Sequence, residues 1–375
     1  MAGQLKRFFN EARIREIAGS LHAAYPRLDV RRFVADAMRG LEQLELIARG
    51  EHLAEVMRRH LPQDFKTAAD VLERSLGPHL DATEGWGMAP FRYLPHVAYV
   101  RRYGVAAGDF EPAMRVQYEL TKRFSAEWSI RPFLETHREQ TLARLREWAR
   151  DPSAHVRRLV SEGTRPRLPW APRLRAFQED PAPVLALLEL LKDDTERYVQ
   201  RSVANNLNDI ARDHPALAVA TCERWLADAP PGASGRRWIV GHALRSLVKA
   251  GDARALGLLG FGGKPKVVIE NVALLPRPRV RIGGELRLSF EMVSTSAKAQ
   301  ELAVDFAVHF VKKNGARRPK VFKLKALTLA PRARAQLAAK VSFANLTTRT
   351  HFPGAHRVDA IVNGTTYPLA EFDVR

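Results

Sequence analysis

A single cysteine in 375 residues, Cys222, excludes an intramolecular disulfide and any cysteine-ligated zinc or iron–sulfur cluster. Its place within a helical pattern marks it as a small buried hydrophobe. The twelve histidines show no ligand spacing and form no His-Glu-x-x-His pair, so neither a metal nor any other cofactor is expected. Residues Gly257 to Lys264 approximate a phosphate loop, but Gly263 stands where the lysine belongs and Pro265 excludes the hydroxyl residue and the helix start. There is no nucleophile elbow. No run approaches the roughly 18 apolar residues of a membrane span. The basic start, Met1 to Phe9, passes into charged, helix-patterned sequence without an apolar signal region. These absences predict a protein of the cytoplasm with no membrane partner, and the excess of positive charge predicts its association with the nucleoid.

Acidic residues are also in short supply. The 60 Lys+Arg face 41 Asp+Glu, leaving a net charge of +19 that exceeds what solubility requires and predicts a polyanionic partner. An arginine-favouring genomic composition would account for part of the same excess.

Apolar residues repeat with helical spacing up to residue 261, as in Ile14, Ile17 and Leu21, or Phe33, Ala37, Leu41 and Leu44. Beyond Gly260-Phe261-Gly262-Gly263 the period becomes two, in Leu286-Leu288-Phe290-Met292, Leu302-Val304-Phe306-Val308-Phe310, Phe322-Leu324, Val341-Phe343 and Val358-Ala360-Val362. About seven short strands with Asn314-Gly315 and Asn363-Gly364 as turns predict an immunoglobulin-like β-sandwich. The expected organisation is mainly α: an α-solenoid of HEAT-like repeats over 1–261, then a smaller all-β immunoglobulin-like sandwich over 262–375. The second part holds 20 Lys+Arg against 8 Asp+Glu, +12 of the total charge, as expected of a DNA-gripping module.

The solenoid rests on an internal repeat. Val156-Arg157-Arg158-Leu159-Val160, Val199-Gln200-Arg201-Ser202-Val203 and Ile239-Val240-Gly241-His242-Ala243 each open a helix after a polar turn, about 40 residues apart. Such units stack because none buries its apolar face alone, and a basic concave face among them fits duplex DNA. Arg157, Arg158, Arg165, Arg167, Arg201, Arg236 and Arg237 recur near equivalent places and are read as a stripe contacting successive phosphates. In the sandwich, Lys312, Lys313, Arg317, Arg318 and Lys320 form a basic hairpin tip suited to a backbone or minor groove.

Three acids interrupt the basic stretches: Glu127, Glu162 and Asp209, the last one turn after Asn205. Carboxylates in a phosphate-binding groove oppose binding unless they do something else, so they are candidate catalytic groups. Ion pairing with neighbouring arginines, or helix capping, is the plain structural alternative. Trp86, Trp128 and Trp170 sit at loops or helix starts, where a flat ring stacks on a base or sugar; Trp148, Trp225 and Trp238 follow helical spacing and are read as packing.

The segments Glu127-Trp128-Ser129-Ile130-Arg131-Pro132-Phe133, His155 to Trp170 and Val199 to Asp209 resemble the HEAT-repeat DNA alkylation repair glycosylases, in particular their AlkC branch, whose members can carry a C-terminal immunoglobulin-like domain. The resemblance spans essentially the whole chain. It implies that Glu127, Glu162 and Asp209 surround the damaged nucleotide, with Trp170 and Trp128 beside it; Trp86 has no family counterpart and rests on its loop alone. It further implies a monomeric, monofunctional glycosylase that excises cationic bases such as 3-methyladenine and 3-methylcytosine from duplex DNA. The lesion would be reached without flipping into a deep pocket, with solenoid and sandwich both holding the duplex. A noncatalytic HEAT scaffold for nucleic acid and an adaptor for an acidic protein are the competing readings.

Overall fold

The computed structural model describes residues 5–276, 279–346 and 349–375, so Met1 to Gln4 of the basic start lie outside the described residues. Sixteen α-helices precede eight strands among them: α1 (Glu11–Ala24), α2 (Val30–Met38), α3 (Leu46–His60), α4 (Phe65–Arg74), α5 (Leu94–Tyr103), α6 (Phe110–Thr121), α7 (Arg131–Thr136), α8 (Arg138–Trp148), α9 (Ala154–Gly163), α10 (Arg175–Glu179), α11 (Ala182–Leu191), α12 (Arg197–Ile210), α13 (Pro215–Ala227), α14 (Ser234–Ala243), α15 (Arg245–Ala250) and α16 (Ala253–Leu258). No described helix is long and apolar enough to cross a membrane.

Asn10, Asp29 and Asp64 cap helices by accepting the backbone N–H three residues on, which satisfies a donor that has no partner within the helix. Val156, Val199 and Ile239, the residues that open each repeat, are fully buried. Helix α9 packs on α12 and α12 on α14, so these later helices form one continuous layer. The position of α9 and α12 within that layer is what sets two candidate acids opposite each other.

Packing divides the chain into two compact units, one of Met1–His214 and Arg224–Ala243, the other of Pro215–Glu223 and Leu244–Arg375. Helices α15 and α16, whose spacing groups them with 1–261, belong to the second unit. Cys222 is buried in α13, and burial pushes its thiol up to about 12, which keeps it protonated and inert.

In the second unit, β1 (Val267–Leu275), β3 (Glu285–Ser294) and β6 (Arg334–Ser342) form one sheet in the order β1-β3-β6. The other runs β2-β8-β7-β4-β5, with β2 (Arg279–Val280), β4 (Gln300–Val311), β5 (Arg317–Leu329), β7 (Gly354–Val362) and β8 (Thr365–Val374). Leu286, Leu288, Phe290 and Met292 of β3 meet Leu302, Val304, Val308 and Phe310 of β4 and Val358, Ala360 and Val362 of β7 in a single core. The strand beyond the expected seven is β2, two residues long and too short to show a period. At the β7–β8 turn Asn363 and Gly364 both take positive φ, 45° and 78°, the mirror-image turn that matches strand twist.

Candidate active site and nucleic-acid interface

The three candidate acids lie on one row of alternating charge. Arg158 Nη1 meets Glu127 Oε2 at 2.6 Å, and Arg158 Nη2 lies 3.5 Å from Glu162 Oε1. Arg165 Nη1 donates to the same Glu162 oxygen at 2.7 Å, and Arg165 Nε to Asp209 Oδ2 at 2.9 Å. The order is Glu127, Arg158, Glu162, Arg165, Asp209: three carboxylates on two shared guanidiniums. Ion pairing of the acids is therefore realised, but as one connected network within a single unit, not three separate surface pairs.

Local helical geometry explains part of the row. Arg158 and Glu162 are four apart on α9 and face the same way. On α12 the spacing of Ser202, Asn206 and Asp209 aligns three polar side chains on the face that meets α9, and all three are buried. Ser202 Oγ donates to Glu162 Oε2 at 2.6 Å, while Asn206 Nδ2 donates to the Ser161 carbonyl at 2.7 Å and to Thr164 Oγ1 at 3.1 Å. Asn206, three residues before Asp209, thus joins α12 to α9 through Ser161 and Thr164. An apolar α9–α12 contact would be simpler to stabilise, so a buried polar seam of this length is a strong indication of a function.

The acids differ in environment. Burial would raise the Glu162 carboxyl, but Arg158, Arg165 and Ser202 outweigh it and hold the group below its ordinary value. At Asp209 burial wins over Arg165, and the carboxyl is raised. Arg158 itself is held firmly protonated: burial is outweighed by Glu127 and Glu162. Ser125 Oγ steadies the outer end, donating to Glu127 Oε2 at 2.7 Å and accepting from Arg158 Nη1 at 3.0 Å.

Glu127 and Arg158 open onto a cavity of about 250 Å³ whose other walls are largely aromatic: Trp86, Phe91, Phe124, Trp128, Trp170 and Tyr198. The cavity thus brings together all three tryptophans read as stacking residues, whereas Glu162 and Asp209 are not among its lining residues and are 6% and 5% exposed. Trp170 is 71% exposed and holds a positive φ of 64°, a strained conformation for a bulky residue. Trp86 is anchored through Nε1 to the Ala82 carbonyl at 2.7 Å and packs against His155 and Tyr198. Trp128 has the Arg101 guanidinium 4.3 Å over its ring and a buried indole N–H without a partner among the described residues. Among the tryptophans read as packing, Trp148 and Trp225 are buried and Trp238 stacks on His242.

The expected phosphate stripe is not what the arginines form. Arg165 and Arg236 are buried, and Arg157, Arg158 and Arg167 are committed to internal carboxylates: Arg157 to Asp194, Arg158 to Glu127, and Arg167 to Asp213, just as Arg236 holds Asp193 and Asp228. Recurrence across repeats places them at the joints between repeats, where a guanidinium ties one helix pair to the next. Arg201 and Arg237 are exposed, Arg201 lying 3.3 Å from Glu84. In the sandwich, Lys312, Lys313, Arg317, Arg318 and Lys320 are all exposed on the β4–β5 tip, with Arg317 paired to Glu371 at 2.7 Å. Partial burial, Arg349, Lys249 and Lys312 all depress Lys320.

Sequence reasoning passed over Arg131. Its buried guanidinium donates to the carbonyls of Gly163 (3.1 Å), Arg165 (2.9 Å) and Pro172 (2.5 Å), fixing the loop that bears Trp170. Ser125, Tyr198, Ser202 and Asn206 were also missed. The Ser202, Asn206, Asp209 spacing was the available signal; nothing local distinguishes Arg131. No group of three or more His, Cys, Asp or Glu among the described residues is arranged to hold a metal ion.

Residues 124–237 match the family described as DNA alkylation repair enzyme, and residues 270–375 match the C-terminal Ig-like domain of the uncharacterised protein YhaZ. The chain is 34% identical over 373 residues to the Bacillus subtilis (strain 168) protein YhaZ, covering 99% of each. Among solved structures it is similar to the Pseudomonas fluorescens alkylpurine DNA glycosylase AlkC bound to DNA containing an abasic site analog, at 38% identity, 99% coverage of each chain and a TM-score of 0.90.

Proposed function

This chain belongs to the AlkC group of the DNA alkylation repair enzymes, and from that premise we propose that it is a DNA glycosylase that hydrolyses the N-glycosidic bond of cationic alkylated bases, 3-methyladenine and 3-methylcytosine, in duplex DNA. The observation that carries the reading is the charged row: a run of three carboxylates, two of them buried, that ends with Glu127 at an aromatic cavity, in a chain whose net charge is +19.

N3-methylation makes the base a cation and hence a good leaving group. As the bond from C1′ to the base nitrogen breaks, its electron pair neutralises the base and positive charge appears on the sugar. Fixed carboxylates stabilise that oxocarbenium-like sugar more than the starting nucleotide, which is the condition for catalysis. Water adds to C1′ and gives up its proton to a carboxylate or to solvent. A neutral base lacks the activated leaving group, so selectivity follows from charge. Glu127, facing the cavity, is assigned to the cationic lesion with Trp170 against the exposed stack, Glu162 to the lesion and its hydration, and Asp209 to the sugar and the attacking water. Trp86 and Trp128 line the wall, and Lys312, Lys313, Arg318 and Lys320 are assigned to the DNA backbone.

Asp209→Asn keeps the acceptor for Arg165 and removes the charge. It should lower release of 3-methyladenine by about 100-fold while duplex affinity stays near that of the unsubstituted protein. Release at the unsubstituted rate would refute the assignment. The pairing of every acid with an arginine favours a second reading, a noncatalytic nucleic-acid scaffold; it predicts salt-sensitive binding and no free base in the same assay.

A further inference from the structure

A second cavity, about 210 Å³, lies in the helical unit further along the loop that carries Trp170 and plays no part in the charged row. It is lined by Leu134 and Glu135 at the end of α7, Arg138 at the start of α8, and Arg173, Arg175 and Phe177 around α10. We propose that this cavity is a DNA-phosphate site that seats the backbone beside the nucleotide against Trp170; the identity of the polyanion as DNA rests on the glycosylase reading.

All three arginines are exposed, and none is within ion-pairing distance of a carboxylate among the described residues, although Glu135 lines the same cavity. Their neighbours behave otherwise: Arg157, Arg158, Arg165 and Arg167 each hold an acid of the protein. Three guanidiniums gathered around one concave site repel one another unless an anion joins them, and the guanidinium fork matches phosphate oxygens. Arg138 lies over the Phe177 ring at 5.9 Å, which limits where its head can go.

The site is also held in place. Arg131 fixes the Gly163, Arg165 and Pro172 carbonyls, and Leu174 N–H donates to the Pro166 carbonyl at 3.2 Å, closing the loop on itself. Arg173 therefore stands at a set distance from Trp170, three residues before it. A phosphate bound there would fix the strand before any lesion is recognised, as expected of an interaction that positions DNA and reads no sequence.

The test uses the full chain and an undamaged duplex, with affinity followed by fluorescence anisotropy over a salt series. The combined Arg138→Gln, Arg173→Gln and Arg175→Gln variant should bind about tenfold more weakly at low salt, with the slope of log K against log salt shallower by about 0.9 for each phosphate no longer neutralised. Arg31→Gln, Arg32→Gln and Arg59→Gln together remove equal charge from exposed positions of α2 and α3 and should leave the slope unchanged. An unaltered slope in the first variant, an equal change in the second, or no duplex binding by the unsubstituted protein would overturn the proposal. Excision measured in parallel on methylated duplex separates the two readings: a changed slope without any excision upholds the phosphate site and removes the glycosylase.

Discussion

Burial lowers the Arg131 guanidinium to about 10, still cationic at neutral pH, and its charge is directed at three backbone carbonyls instead of a carboxylate. Arg131→Lys retains the charge but loses the planar fork that spans those carbonyls. It should reduce stability by about 1–3 kcal/mol, read as a lower denaturant midpoint, and reduce excision as far as Trp170→Ala does. Because it acts through the loop, combining the two substitutions should cost no more excision than either alone; additive effects would contradict this. Asp209 gives a pH expectation. Its carboxyl is raised by burial despite Arg165, so on acidification it takes up a proton above the ordinary 3.8, while Glu162, held low, is still ionised. Excision that needs the Asp209 carboxylate falls as pH drops through that raised value. The acid limb of the excision rate should lie above the usual aspartate range and be absent from Asp209→Asn.

At the scale of elements, the α9–α12 contact and the β7–β8 turn show opposite uses of packing. The first replaces apolar contact with a polar seam that positions the candidate catalytic groups. The second is steric: a Cβ on Gly364 would sit 2.9 Å from Gly251 Cα and 3.1 Å from Leu256 Cδ1, at a φ of 78° that an L side chain rarely adopts. Gly364→Ala should therefore destabilise the second unit by about 2 kcal/mol, seen as an earlier loss of β-sheet signal on heating. Gly315→Ala has open space around its Cβ and bears only the backbone cost of its positive φ. Equal midpoints for the two variants would show that the close approach to Gly251 is unimportant.

For the whole molecule, charge is divided between internal ties and free surface. Most of the repeat arginines that sequence set in one stripe neutralise carboxylates within their own unit, so the charge available for DNA comes from fewer places, among them the β4–β5 tip. Lys312, Lys313, Arg318 and Lys320 are all exposed there. Replacing the four with Gln should weaken undamaged-duplex binding and flatten its salt dependence without altering the thermal midpoint, since exposed charges of this kind add little to stability. Retention of the full salt slope would remove the tip from the interface.

The order of a helical part and a β part, the repeat and the strands were legible along the chain, because each depends on residues a few positions apart: periods of 3.6 and 2 and polar turns; the three acids stood out only as carboxylates among arginines, and spacing did not assign them a role. Tertiary structure alone decided what those residues meet. That Arg158 and Arg165 bridge acids, that Asn206 faces Ser161, that Arg131 grips a loop up to 41 residues away, and that three arginines without an ion pair among the described residues share a cavity all depend on helices brought together from distant parts of the chain. Charge sums count cations and anions wherever they fall; only the folded chain determines which of them have already neutralised each other.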